Sequence, residues 1–255
     1  MKIKQNIPWY RTKYLDKKNW LIKKSPNYLF YYFKNSLAEK NIKEIIKIKE
    51  KHYSKILSFL KIKNCRKIQY YFYPTIKEKK KLMGDNNFGN AIWEELELKN
   101  SRAKTKRFEI HVAYNNKCKF IGEHEDTHLL SLSWGLSIYL FQEGLAQFME
   151  ENLFGKDIDN LSKKLLKQNK LYSTKWLCNN KNWDRLRPEI IYSQSGSFVR
   201  YLINTYGLKK FKKLYKKTAR QKTPKENIKI IEIIYSQSIK KIEKNWRKYL
   251  KSNYS

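Results

Sequence analysis

The chain has 255 residues, 41% hydrophobic and 15% aromatic, and its 56 Lys+Arg against 23 Asp+Glu give a formal net charge of +33. That length buries a large core without disulfides or metal, and the composition excludes a disordered chain. The excess charge is read as a solvated lysine coat with weak, nonspecific polyanion binding, because no Gly-rich phosphate loop, zinc finger or RNP-like aromatic signature accompanies it.

No apolar run approaches the roughly 20 residues of a membrane span, and the N-terminus lacks a signal-peptide core, so a soluble, cytoplasmic chain is expected. In chain order, residues 36–63 predict a long helix from about Ser36: Ser36 and Glu39 have capping-box spacing, and Ile42, Ile45, Ile46, Tyr53, Ile56, Leu57 and Leu60 form one stripe. "KIQYYFYP" (67–74) reads as a strand ending at Pro74, and "GDNNFGN" as a loop. "RFEIHVAY" (107–114) alternates, with Phe108, Ile110, Val112 and Tyr114 on one face and Glu109, His111 and Ala113 on the other. A helix over 122–133 follows, broken by Gly135, then a second from about Phe141 to Leu153 with Gly155 as its stop. Beyond that the pattern is helical throughout, including a helix start at Thr223-Pro224-Lys225-Glu226. Cys65, Cys118 and Cys178 have no framework spacing and are read as reduced thiols.

The chemistry concentrates in "GEHEDTHLLSLSWGLSIYLFQEGLAQFMEE" (122–151). Each helical residue turns about 100°, so His124 and His128 lie on one face, one turn apart, and both imidazoles can reach one ion. Glu125 sits beside that face, as suits a base acting on a metal-activated water. A catalytic zinc needs a third protein ligand and an open position. Trp134 occupies the position six beyond His128, so a third histidine there is absent, and Glu143 is the candidate instead. A turn at Gly135 and an antiparallel return would bring it back against the first helix, and small Gly144 and Ala146 beside it allow those two helices to approach closely. A chance HExxH is expected roughly 0.004 times in such a chain, which argues against coincidence. His111 is the next suspect for third ligand, though its strand position favours packing or an outer-shell role.

With these motifs the chain resembles the gluzincins, specifically the peptidase-MA-like proteins related to the catalytic domain of aminopeptidase N and leukotriene hydrolase. The resemblance implies an α+β fold of zincin (thermolysin-like) architecture: a small mixed β-sheet with active-site helices, followed by an all-helical C-terminal lobe. It implies one zinc ion per chain on His124, His128 and Glu143, with Glu125 as general base. "YSQSGSFVRYL" (192–202) is similar to the family segment whose Tyr hydrogen-bonds the oxyanion, which gives that role to Tyr192. "FEIHVAY" resembles the edge strand along which zincins lay their substrate. The spacing from His128 to Glu143 is shorter than in aminopeptidase N relatives, and "GNAIWEE" (89–95) only loosely echoes the motif that binds a free amino terminus, so an aminopeptidase is not implied.

The expected function is a zinc-dependent peptidase acting on peptide or protein substrates as a monomer. The alternatives are a zincin-fold metal-binding protein without efficient peptidase activity, or a basic polyanion-binding protein. The expected organisation is an N-terminal extension and strand region (1–35), an N-lobe with both active-site helices (36–155) and a helical C-lobe (156–255).

Overall fold

Aromatic and β-branched runs make the sheet. The structure, a computed structural model, describes residues 2–3, 20–63, 66–99, 102–153 and 155–252. Cys65 and, within the 1–35 region, residues 1 and 4–19 lie outside the described residues. The elements are mixed α and β, and contacts group them into two compact units, residues 1–133 and 134–255. The boundary read from the sequence, at 155, lies downstream of this division.

In the first unit, β1 (Lys2–Ile3), β6 (Leu96–Lys99) and β7 (Arg102–Lys104) form a small sheet. The larger mixed sheet runs β2 (Trp20–Lys24), β3 (Tyr28–Phe33), β4 (Ile68–Tyr73), β8 (Phe108–Asn115), β5 (Gly89–Trp93), with β9 (Cys118–Lys119) also on β8. β3, β4 and β8 are parallel neighbours, registered as Phe30↔Tyr70 and Tyr71↔His111, whereas β5 runs antiparallel to β8 with Asn90↔His111. Strand β8 is therefore interior and buried on both faces, and among the described residues the sheet edge next to it belongs to β5. This corrects the expectation that 107–114 is an edge strand: its alternation is real, but its polar face is covered as well. His111 and Glu109 survive there by bonding each other and Tyr73 rather than water.

The helix read as one from Ser36 is two. α1 (Leu37–Lys40) ends at Asn41, and α2 (Ile42–Leu60) follows. Ser36 does accept from the Glu39 amide, but the Glu39 carboxylate takes the Asn35 amide instead of closing a box on Ser36. Ile45, Tyr53, Ile56 and Leu60 bury the α2 stripe, and Lys49, in the middle of it, is fully buried too. Tyr53 meets Tyr28 edge-on, so α2 covers the Tyr28–Phe30–Tyr70–Phe72 face. On the other face, α3 (Ile76–Met83) brings Leu82 and Met83 against Trp20, Tyr71, Tyr73 and Ile92.

In the second unit, α5 (Tyr139–Glu150) packs along α8 (Pro188–Tyr206). Gly155 is not a helix stop: α5 ends at Glu150 with Glu151 as its cap, and Gly155, with φ +75°, turns the hairpin of β10 (Asn152–Leu153) and β11 (Lys156–Asp157). α6 (Ile158–Lys167) packs on α8, and Arg200 ties them by pairing with Asp157 at 2.8 Å and Asp159 at 3.0 Å. The short α7 (Thr174–Leu177) precedes α8, and α9 (Leu208–Lys217), α10 (Pro224–Tyr235) and α11 (Ile239–Ser252) complete the unit. Thr223 and Glu226 close a full capping box on α10. Cys118 and Cys178 are free thiols, and burial pushes Cys178 up to about 12. No helix among the described residues is long and apolar enough to cross a membrane.

Candidate metal centre

HEDTHLL folds into α4 (His124–Leu130), continued by a 3-10 turn over Ser131–Trp134 and stopped at Gly135, whose φ of +102° suits a residue without a side chain. The helix is shorter than the span read from the sequence. It has no side-chain cap on Glu123, although the Thr127 hydroxyl donates to the Glu123 carbonyl at 2.8 Å. His124 is buried and His128 half-buried, with ring centroids 4.8 Å apart and planes at 81°. Glu143 lies in the second turn of α5 and is half-buried.

Ligand atoms of His124, His128 and Glu143 all lie within 4.8 Å of one another. Donors on one tetrahedral zinc-like ion, at roughly 2.0–2.2 Å from it, stand about 3.4 Å apart. Two imidazoles and one carboxylate are a donor set for a divalent transition metal, and the group fits one.

Glu125 is buried at 8% exposure and sits against the start of β5. A Cβ added at Gly89 would stand 2.8 Å from Glu125 Oε1 and 2.4 Å from the Phe120 ring. The carboxylate thus touches backbone at an edge that has no strand partner on its outer side among the described residues. The sequence places Gly89 in the loop "GDNNFGN", but it heads β5 instead; a glycine at the start of an apolar run marks a close backbone approach.

Tyr192 lies within α8, half-buried, rather than at a helix start. It is one turn before Ser195, whose carbonyl oxygen would stand 2.7 Å from a Cβ on Gly144, the residue after Glu143. His111 does not join the metal group. It stacks on Tyr71 at 4.6 Å, its Nδ1 is 2.9 Å from the Tyr73 hydroxyl, and its Nε2 is 3.2 Å from Glu109 Oε2. His52 stands 3.5 Å from Glu123.

A family model, the peptidase MA superfamily, matches residues 119–252, just over half of the chain. The match covers α4 through α11 and leaves most of the larger sheet outside it. No curated protein matches the chain.

Proposed function

Since this chain belongs to the peptidase MA superfamily, we propose that it is a zinc-dependent peptidase of zincin architecture, with the ion held by His124, His128 and Glu143. One observation carries the reading: the three ligand atoms converge within 4.8 Å while the intervening Glu125 lies beside Gly89 of β5, the edge strand of the larger sheet among the described residues.

When bound, zinc supplies Lewis acidity, lowering the pKa of a water towards about 7 and polarising the scissile carbonyl. The substrate backbone pairs with the outer side of β5, unpaired among the described residues, as an added strand that brings a peptide carbonyl beside Glu125. Glu125 accepts a proton from the attacking water as its oxygen bonds the carbonyl carbon. The Tyr192 hydroxyl donates a hydrogen bond to the carbonyl oxygen as that atom gains negative charge. Glu125 then delivers its proton to the amide nitrogen as the C–N bond breaks, which leaves a carboxylate and an amine.

The test combines elemental analysis with a peptide-library digest in the presence and absence of chelator. About one zinc per chain and chelator-sensitive cleavage are expected. Glu125→Gln should keep its zinc and lose turnover by several orders of magnitude, and Glu143→Ala should lose zinc. Zinc bound without chelator-sensitive cleavage would make the chain a metal-binding protein instead, and full zinc content in Glu143→Ala would move the third ligand elsewhere.

A further inference from the structure

Two residues after His124 along α4, Asp126 stands about 200° round the helix from the metal-facing side. Its side chain and that of Lys49 are both at 0% exposure, and they are paired. Lys49 Nζ donates to Asp126 Oδ2, to the Gly122 carbonyl at 2.9 Å and to the Ile121 carbonyl at 3.3 Å, which uses all three ammonium hydrogens. It also sits 4.8 Å from the centroid of the Tyr70 ring. The Tyr28 hydroxyl donates to Asp126 Oδ1 at 2.7 Å, with the Lys49 carbonyl 3.2 Å away.

Removing two charges from water is costly, and apolar side chains of the same volume commonly hold a fold as well or better. The use of the pair is therefore sought in what its directed bonds fix. They grip the chain at Ile121, Gly122 and Asp126, which is the approach to α4 and its first turn. That helix has seven residues and no side-chain cap, too short to hold its own orientation. Apolar contacts would permit several rotations of so short a helix, whereas three donors on one ammonium permit one.

We propose that Lys49 and Asp126, with Tyr28, are positioning residues: the buried pair sets the rotation of α4 so that His124 and His128 face one ion and Glu125 faces β5. The proposal rests on the metal reading above. Its test titrates Co²⁺ into the full chain, following the visible d–d bands, and runs urea unfolding in parallel. The variant Lys49→Met with Asp126→Leu removes both charges at similar volume. It is expected to unfold at a urea midpoint no lower than the parent's, yet to bind Co²⁺ at least about ten-fold more weakly, with altered bands, as outer-shell substitutions do. Tyr28→Phe, which removes one hydroxyl, keeps the test decisive if the double variant does not fold; about a three-fold loss is expected there. Parent-like Co²⁺ affinity and bands in either folded variant overturn the proposal. A parent chain that binds no Co²⁺ overturns the metal reading itself and the proposal with it.

Discussion

At Gly89 the missing side chain is the functional feature, because a Cβ there would stand 2.8 Å from Glu125 Oε1 and 2.4 Å from Phe120 Cε1. Both are ends of side chains that can swing aside, so Gly89→Ala should fold with a stability near the parent's. The displaced carboxylate no longer meets the water, and turnover should fall at least about ten-fold with metal content unchanged. Parent-like turnover would mean that Glu125 is not held by this contact. His111 gives a second prediction. Its complete burial lowers its pKa below the usual 6.5, against the opposing pull of the Glu109 bond. A depressed folded-state pKa means that below about pH 6.5 the unfolded chain takes up a proton that the folded chain declines, so stability is lost as the pH falls. The contribution is at most about 1.4 kcal/mol per pH unit for one proton. In urea unfolding between about pH 7 and pH 5, His111→Gln should show a shallower fall than the parent. An equal fall in both would assign the pH dependence to other groups.

Among elements, the crossing of α5 and α8 sets where Glu143 stands within its unit. Gly144 lets them close: a Cβ would meet Val199 Cγ2 at 2.6 Å and the Ser195 carbonyl oxygen at 2.7 Å. The second of these is backbone in mid-helix and cannot yield without moving α8. Gly144→Ala should therefore destabilise by about 1–3 kcal/mol and lower zinc content. Gly155→Ala is the control, since its φ of +75° makes alanine strained but nothing lies within 4 Å. It should cost about 1 kcal/mol and leave zinc bound. Metal content unchanged in Gly144→Ala would show that the site tolerates a shift of α5. A close helix approach at Gly144 is readable from the sequence, because it needs a small residue. The partner is not: the sequence pairs this helix with the one over 122–133, whereas Gly144 closes on Val199 and Ser195 of α8, a choice of tertiary packing that periodicity does not encode.

At the scale of the whole molecule, signals carried by neighbouring residues are the more legible, although the Ser36–Glu39 box does not close and Gly155 turns a hairpin instead of ending a helix. The HExxH spacing, the Thr223 capping box and the two faces of 108–115 each depend on neighbours within a turn or a strand, and each was plain in the sequence. The identity of the sheet edge depends on strand order, which joins residues 28–33, 68–73, 89–93 and 108–115, so the edge that the family resemblance implies for 107–114 falls on β5 instead. Lys49 was overlooked because a lysine in a lysine-rich helix looks like part of the coat. Only the spacing of 45, 49, 53, 56 and 60 reveals that it lies on the buried stripe. The Tyr28–Asp126 hydrogen bond, spanning 98 positions, also carries a kinetic consequence. Contacts so distant in sequence form only after the chain has closed a long loop, when β3, β4 and α2 are already assembled. On this order the histidines are aimed late, and the ion binds after the sheet has formed instead of nucleating it. Zinc should then slow unfolding while leaving the refolding rate unchanged, as read by tryptophan fluorescence with and without chelator; refolding accelerated by zinc would reverse the order.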